Sequence, residues 1–287
     1  MNKPIVLVTG ANGQVGKELQ ACSPGYSAFE VIFVSKEDLP IDQFDQVENF
    51  FRSVKPQYCI NCAAYTAVDK AEIETDLAFR INGESPGALA SACNLSGTKF
   101  IHISTDYVFN GTSGIPYSEL DAVDPVNAYG ASKLHGEVLA LKYNPNSIVI
   151  RTSWVYSSFG NNFVKTMMRL MKERENINVV SDQHGSPTYA ADLALLFLHI
   201  IGSGHWVPGI YHYSNEGIIS WYDFAVAIKE LSASNCIVHP IPTSSYPTPA
   251  KRPVYSAFDK GKIKSVFDIP IPDWKESLQK CVEKLLI

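Results

Sequence analysis

The run Ile5-Val-Leu-Val8 breaks into Thr9-Gly-Ala-Asn-Gly-Gln-Val-Gly16, and a helical pattern follows directly. A strand that ends in a turn with glycine at 10, 13 and 16 and then opens a helix has few ways to continue. The following segments carry the same alternation. Short β-branched runs at 31–34, 58–61, 100–104 and 148–150 read as strands, and helical patterns fill the gaps at 16–21, 47–54, 85–95 and 128–143. Strands joined by crossover helices pair in parallel, and a parallel sheet needs both faces covered. The expected fold is therefore α/β, a Rossmann-like doubly wound parallel sheet over residues 1–152. Beyond 152 the pattern loosens, with helices expected at 163–174, 192–201, 220–231 and 273–286, and residues 153–287 read mainly as a smaller α/β substrate-binding lobe from which some segments return to the first domain. Residues 240–253 hold five prolines and read as an extended loop.

The glycine spacing has a chemical reason. A dinucleotide pyrophosphate is held by backbone N–H groups at a helix N-terminus, so the strand-to-helix turn must lack bulk. Gly10, Asn12, Gly13, Gln14, Val15 and Gly16 are the candidates for that contact. The second strand should end at the adenosine ribose, where an acidic residue accepts the hydroxyls and a cation accepts a 2′-phosphate. Ser35 and Lys36 stand there, which favours NADPH, while Glu37 and Asp38 follow closely and leave NADH open. The third strand ends in Asn61-Cys-Ala-Ala-Tyr65, where small residues let the backbone pass close to a cofactor or simply pack tightly.

In Asn127-Ala-Tyr-Gly-Ala-Ser-Lys133, Tyr129 and Lys133 are four apart, and on a helix they share one face with a rise of about 6 Å. A lysine charge beside a phenol stabilises the phenolate, so the pair reads as a proton donor whose pKa is drawn down from ~10. Asp124-Pro-Val-Asn127 supplies turn and cap chemistry for that helix.

Composition bounds the partners. With 46% hydrophobic and 18% charged residues in 287, no disorder signature appears, and a net charge of −5 without a basic run argues against nucleic acid. The longest apolar helix candidate, 193–201, falls short of the roughly 20 residues a membrane span needs. The N-terminus lacks a signal-peptide pattern, so a cytoplasmic location is expected. Cys59-Ile-Asn-Cys62 lies in a buried-strand pattern, so reduced core thiols are expected rather than a redox or zinc pair. The seven histidines show no metal spacing, and no catalytic metal is expected.

Four motifs, Thr9-Gly-x-x-Gly-Gln-Val-Gly16, Ala63-Ala-Tyr-Thr-Ala-Val-Asp69, Ser104-Thr-Asp-Tyr-Val-Phe109 and Tyr129-Gly-Ala-Ser-Lys133, make the chain resemble the extended short-chain dehydrogenase/reductases. Arg151-Thr-Ser-Trp-Val-Tyr156, Gly160-Asn-Asn-Phe-Val-Lys165, Asp182-Gln-x-Gly-Ser-Pro-Thr188 and Tyr246-Pro-Thr-Pro-Ala-x-Arg-Pro253 narrow the likeness to their dTDP-4-dehydrorhamnose reductase family.

The resemblance implies NAD(P)H-dependent reduction of the C4 ketone of a dTDP-linked deoxyhexulose by a monomer or homodimer. It implies Thr105, Tyr129 and Lys133 as the catalytic set, with Tyr129 and Lys133 also touching the cofactor. It implies Val68, Thr105, Asp106, Tyr129, Trp154 and Arg252 around the nucleotide sugar, and it favours Cys62, Ala63, Ala64 and Tyr65 as cofactor contacts. The adenine-side Leu-Asp-Ile pattern of many relatives appears here as Leu39-Pro-Ile-Asp42, so Ile41 or Asp42 takes that place. Some members bridge a dimer through magnesium held by glutamates. Glu18 matches one such position but Ala191 stands at another, and no metal is carried over.

Two other classes stand beside this expectation. A non-catalytic regulatory subunit such as methionine adenosyltransferase β resembles the same fold without the Arg-Thr-Ser-Trp and Asn-Asn-Phe blocks. Another nucleotide-sugar enzyme is the second; a 4,6-dehydratase needs Thr-Asp-Glu where this chain has Thr105-Asp-Tyr107.

Overall fold

The computed structural model describes residues 3–287. Its first half is built from β1 (Ile5–Thr9), α1 (Gln14–Cys22), β2 (Glu30–Val34), α2 (Phe44–Val54), β3 (Tyr58–Asn61), two short helices α3 (Val68–Ala71) and α4 (Thr75–Phe79), α5 (Ser85–Ser96), β4 (Lys99–Thr105), α6 (Ala128–Tyr143) and β5 (Ile148–Thr152). These strands are all parallel; β1 pairs with β2 on one side and β3 on the other, and β4 and β5 follow outward. The reversal of direction at β1 opens a crevice at the carboxyl ends of the strands, where α/β sheets bind ligands.

Alternation along the strands explains the double winding. Val6, Val8, Ile60 and Ile101 point to one face, against Val15 and Leu19 of α1. Leu7, Cys59 and Phe100 point to the other, against Val47 and Phe51 of α2 and Leu89, Ala90 and Cys93 of α5. Each large apolar side chain so buried contributes about 1.5–3 kcal/mol.

The second half adds β6 (Val155–Tyr156), α7 (Phe163–Glu173), β7 (Asn176–Val180), β8 (His184–Gly185), β9 (Thr188–Tyr189), α8 (Ala190–Ser203), β10 (Gly209–His212), β11 (Ile219–Ser220), α9 (Trp221–Leu231), β12 (Ile237–Ile241), α10 (Gly261–Phe267) and α11 (Trp274–Leu286). Three of these lie on the first sheet. Strand β10 pairs in parallel with β5 as a sixth strand, Leu193, Phe197 and Ile201 of α8 join the core beside α1, and Ile263 and Phe267 of α10 pack there too. A separate core gathers Met167 and Met171 of α7, Ile177 and Val179 of β7, Phe224 and Ile228 of α9, and Trp274 and Leu278 of α11.

The cap read in the sequence before α6 is real, and α9 and α11 are capped too. Asn127 Oδ1 accepts the Gly130 N–H at 2.7 Å, Ser220 and Asp223 form a capping box, and Asp273 accepts from Lys275 N. One expectation fails at 240–253. Its opening residues belong to β12, which pairs in parallel with β7, and Pro240 is tolerated because β12 has a neighbour on one side only. The rest of the segment is loop with one short turn at Thr243–Ser245. Among the described residues no helix is long and apolar enough to cross a membrane, and all six cysteines are free thiols.

A buried ion pair ties α6 to the sheet. Arg151 on β5 donates from Nε and Nη2 to both carboxylate oxygens of Glu137, the closest contact being 2.7 Å, with both side chains about 3% exposed or less. Removing one partner of such a pair strands the other charge, at a cost of about 3–5 kcal/mol. Glu137→Ala should therefore lower the free energy of unfolding by about that amount, and the double replacement Glu137→Leu/Arg151→Met should lower it by less. Urea denaturation of the three proteins measures both.

Candidate active site

Glycine makes the first cleft possible. Gly10 has φ of +69°, and a Cβ there would lie 2.6 Å from Ala63 N. A Cβ on Gly16 would lie 2.4 Å from Gly10 O, so the turn and the start of α1 close on each other as well as on the end of β3. The contact is held from below by Asn61, whose Oδ1 accepts from Thr9 Oγ1 at 2.7 Å and from Ala63 N at 3.2 Å.

The resulting cleft of about 340 Å³ is lined by Gly10, Asn12, Gly13, Ser35, Lys36, Ile41, Asp42, Cys62, Ala63, Ala64 and Tyr65, all expected from the sequence, and also by Glu37, Leu39, Leu77 and Ile81. Gln14, Val15 and Gly16 do not line it. Gln14 instead reaches the second lobe, accepting from Asn162 Nδ2 at 2.9 Å, and Val15 is core.

Two details of the rim were not legible in the sequence. Ser35 gives both its N–H and its hydroxyl to Asp38 Oδ2, at 2.9 and 2.7 Å, so that hydroxyl is engaged within the loop. These bonds hold the Asp38 carboxyl below its usual range. Asp42 turns toward Arg80, which donates to its carbonyl at 2.9 Å.

Helix α6 approaches the end of β4 closely. A Cβ on Gly130 would sit 2.1 Å from Tyr107 O, and one on Gly136 would sit 2.1 Å from Asn82 O. Backbone contact at both points brings Tyr129 beside the turn that carries Thr105, Asp106 and Tyr107. Tyr129 and Tyr107 meet edge to face with centroids 5.7 Å apart. Thr105 Oγ1 donates to Asp106 Oδ1 at 2.9 Å. Asn82, inside a wide helical turn at Arg80–Glu84, accepts from Tyr65 N, donates to Tyr65 O and donates to Ser132 Oγ, joining the cleft wall to the residue before Lys133. Nothing in its sequence context, Arg80-Ile-Asn-Gly-Glu84, marked it.

The electrostatics correct one expectation. Lys133 does not draw the Tyr129 phenol down. Burial pushes that phenol up to about 12, the neighbouring Thr105 hydroxyl works against the rise, and the Asp106 charge adds to it. The Lys133 ammonium is instead turned to Ile103 O at 2.6 Å, and burial lowers it to about 8 against the opposing pull of Glu137 and Cys62. Burial also raises the Asp106 carboxyl to about 6, opposed by the neighbouring Ser256 hydroxyl and by the Thr105 hydrogen bond.

A second cleft of about 720 Å³ lies between α7, the β7–β12 pair and the proline-rich segment. Phe163, Met167 and Leu170 line one wall, Asn176 and Asn178 another, and Trp221, Tyr246 and Arg252 its rim. Arg252 is paired with Asp69 through Nη1 at 3.1 Å and Nη2 at 2.8 Å. Trp154 has φ of +49° and stacks on Trp221 at 3.6 Å between centroids, with Gly185 leaving room for its indole. Val68 opens α3, one residue from Asp69. Lys133 of α6 lies within electrostatic reach of Cys62 on the first cleft, and Tyr107, against Tyr129, within reach of Arg252 on the second. Glu18 is buried with Oε1 accepting from Ser157 at 2.6 Å, and no group of three or more potential metal ligands gathers among the described residues.

Comparison with known proteins matches this geometry to a family. Residues 3–287 match the family described as RmlD substrate binding domain. The dTDP-4-dehydrorhamnose reductase of Aggregatibacter actinomycetemcomitans is 41% identical over 284 residues, 96% of this chain and 97% of that one. The chain belongs to the dTDP-4-dehydrorhamnose reductase family. Solved structures of the family superpose along the whole length. That from Clostridium acetobutylicum has a TM-score of 0.95 at 43% identity, and that from Bacillus anthracis, in complex with NADP, has 0.95 at 41%; each comparison covers 99% of this chain and 100% of the other.

Asp106 gives this family member a measurable pH signature. Its folded pKa of about 6 lies above the ~3.9 of an unfolded aspartate. Between those values the folded chain keeps a proton that the unfolded chain has released, so the stability due to this group falls as pH rises through the window. Unfolding free energies of the wild type and Asp106→Asn, taken at pH 4 and pH 7, should show the variant gaining on the order of 2–3 kcal/mol relative to wild type at the higher pH.

Proposed function

We propose that this protein reduces the C4 ketone of dTDP-6-deoxy-L-lyxo-4-hexulose to dTDP-L-rhamnose with NADPH, and accepts NADH as well. The observation that carries the reading is the edge-to-face seating of Tyr129 on Tyr107, with the Thr105 hydroxyl close enough to bias its phenol, in a chain that matches reductases over its full length. The glycine cleft fits the cofactor, since the contact of Gly10 with Ala63 leaves backbone rather than side chain at the mouth of α1. Gly10, Asn12 and Gly13 would hold the pyrophosphate, Ser35 and Lys36 the adenosine ribose, and Lys133 the nicotinamide ribose. When bound, the reduced nicotinamide supplies the hydride.

The chain's own residues supply the rest. Negative charge grows on the ketone oxygen as the carbon is reduced, and Tyr129 Oη gives its proton to that oxygen while Thr105 Oγ1 turns its one hydrogen from Asp106 to it. With a pKa near 12, Tyr129 is fully loaded with its proton at neutral pH. An alkoxide is a stronger base than a phenolate, so the transfer runs toward the alcohol. Lys133, near 8, is still mostly charged at pH 7, so its ammonium is a donor for the nicotinamide ribose. The Arg252 fork suits the diphosphate, and the second cleft with Trp154 behind Trp221 suits the nucleotide and sugar.

The absence of a long apolar helix among the described residues agrees with a cytoplasmic enzyme, read here as a monomer or homodimer. The two-lobe reading, with a boundary near residue 152, assigns the cofactor to the first lobe and the nucleotide sugar to the second. The regulatory-subunit reading is left without support by full-length relatives named as reductases.

The test is NADPH oxidation with the keto sugar generated from dTDP-glucose by a 4,6-dehydratase and a 3,5-epimerase. Tyr129→Phe should lose about 10²–10⁴ in turnover while still binding dTDP, because only the proton donor is removed. Unchanged turnover would rule out the assigned role.

A further inference from the structure

Arg252 sits near the end of the proline-rich segment, and three ties hold that end in place. Asp69 Oδ1 accepts from Ala250 N at 3.1 Å, and the same carboxylate takes two donors of the Arg252 guanidinium. Asn127 Nδ2, at the cap of α6, donates to Lys251 O at 2.8 Å. Gly111, with φ of +79°, lets Pro253 approach so closely that a Cβ there would lie 2.5 Å from it. At the other end Asp182 accepts from Thr243 N and Oγ1. Residues 244–249 run as a strap over the second cleft between these two carboxylate anchors.

The donors of Arg252 divide in a telling way. Nη1 donates to Asp69 Oδ1 and to Ala250 O, and Nη2 donates to Asp69 Oδ2. Among the described residues Nε and the second Nη2 hydrogen have no hydrogen-bond partner. A guanidinium has five N–H donors, so the carboxylate takes the end of the fork and leaves a lateral edge open. That edge matches the two-oxygen geometry of a phosphate. Arg252 also lies within electrostatic reach of Tyr107 and Tyr246, one beside Tyr129 and the other on the strap.

We propose that Asp69 is a positioning residue for substrate: it fixes the Arg252 guanidinium end-on and anchors the strap, so that the free lateral edge receives a phosphate of a nucleoside diphosphate. The inference rests on the assignment of Arg252 to the diphosphate. Without Asp69 the long arginine side chain keeps its charge but loses its orientation, and each encounter must again fix its rotamers.

The experiment measures binding of dTDP and, separately, of NADPH by titration calorimetry to the whole protein and to Asp69→Asn, Arg252→Ala and the double variant, with steady-state kinetics alongside. Asp69→Asn should weaken dTDP about tenfold, equivalent to about 1.4 kcal/mol, and raise KM for the keto sugar in step, with a much smaller change in kcat. NADPH affinity should stay within about twofold, and in the Arg252→Ala background Asp69→Asn should have no further effect on dTDP, because the coupling passes through the guanidinium. Weakening by Arg252→Ala but not by Asp69→Asn would overturn the role of Asp69. Unchanged dTDP binding in Arg252→Ala would instead overturn the diphosphate assignment. Loss of both ligands together in Asp69→Asn would make the residue a part of the fold only and would also overturn the proposal.

Discussion

Gly130 and Gly136 press the backbone of α6 against the carbonyl oxygens of Tyr107 and Asn82, and the arrangement of the reactive groups follows from those two contacts. The first brings Tyr129 to the Thr105 turn. The second seats the following turn of α6 against the wide helical turn that holds Tyr65 through Asn82. Lys133 falls between them and reaches Ile103 O beneath the sheet's carboxyl edge. A helix one side chain further out would leave the phenol, the ammonium and the threonine hydroxyl in three separate environments. Errors of about 1 Å at a reacting centre are enough to cost two orders of magnitude in rate.

Buried polar groups then carry this placement outward. Glu137, one turn beyond Lys133, is locked to Arg151 on β5, and Arg151 lies over the Phe109 ring and 3.4 Å from His212 on β10. Burial, reinforced by the Arg151 charge, holds His212 neutral with its pKa lowered to about 3, and its Nδ1 meets Tyr117 O. On α8, Asp192 accepts from Asn215 and Ser277, fastening that helix of the first core to α11 of the second. These networks are satisfied by specific partners on specific strands and helices, which makes the relation of the two cores a matter of hydrogen-bond geometry as well as apolar packing.

Much of the architecture was legible because it rests on local rules. The first five strands and the four helices between them follow from β-branched runs and apolar periodicity, and α6 starts at Ala128 and ends at Tyr143 as its pattern requires. What escaped were elements whose identity depends on distant partners. Strand β10 is four residues long and exists because β5 has an open edge. Strand β12 contains a proline and exists because β7 pairs with it. Short helices α3 and α4 carry too few apolar positions to show a period. In the site, most of the glycine-cleft residues were readable from the turn chemistry. The engagement of Ser35 by Asp38, the pairing of Arg252 with Asp69 and the upward shift of Tyr129 were not, since burial and long-range pairing have no signature in spacing.

The stacked indoles of Trp154 and Trp221 carry a further consequence. Trp154 holds a left-handed backbone that costs a non-glycine residue about 1–3 kcal/mol, and stacking returns about half of that or more. Two aromatic rings 3.6 Å apart and nearly parallel are close enough for their transition dipoles to couple. Two of the chain's four tryptophans are stacked in this way and Trp221 lines the larger cleft, so their share of the near-ultraviolet spectrum is a gauge of that wall.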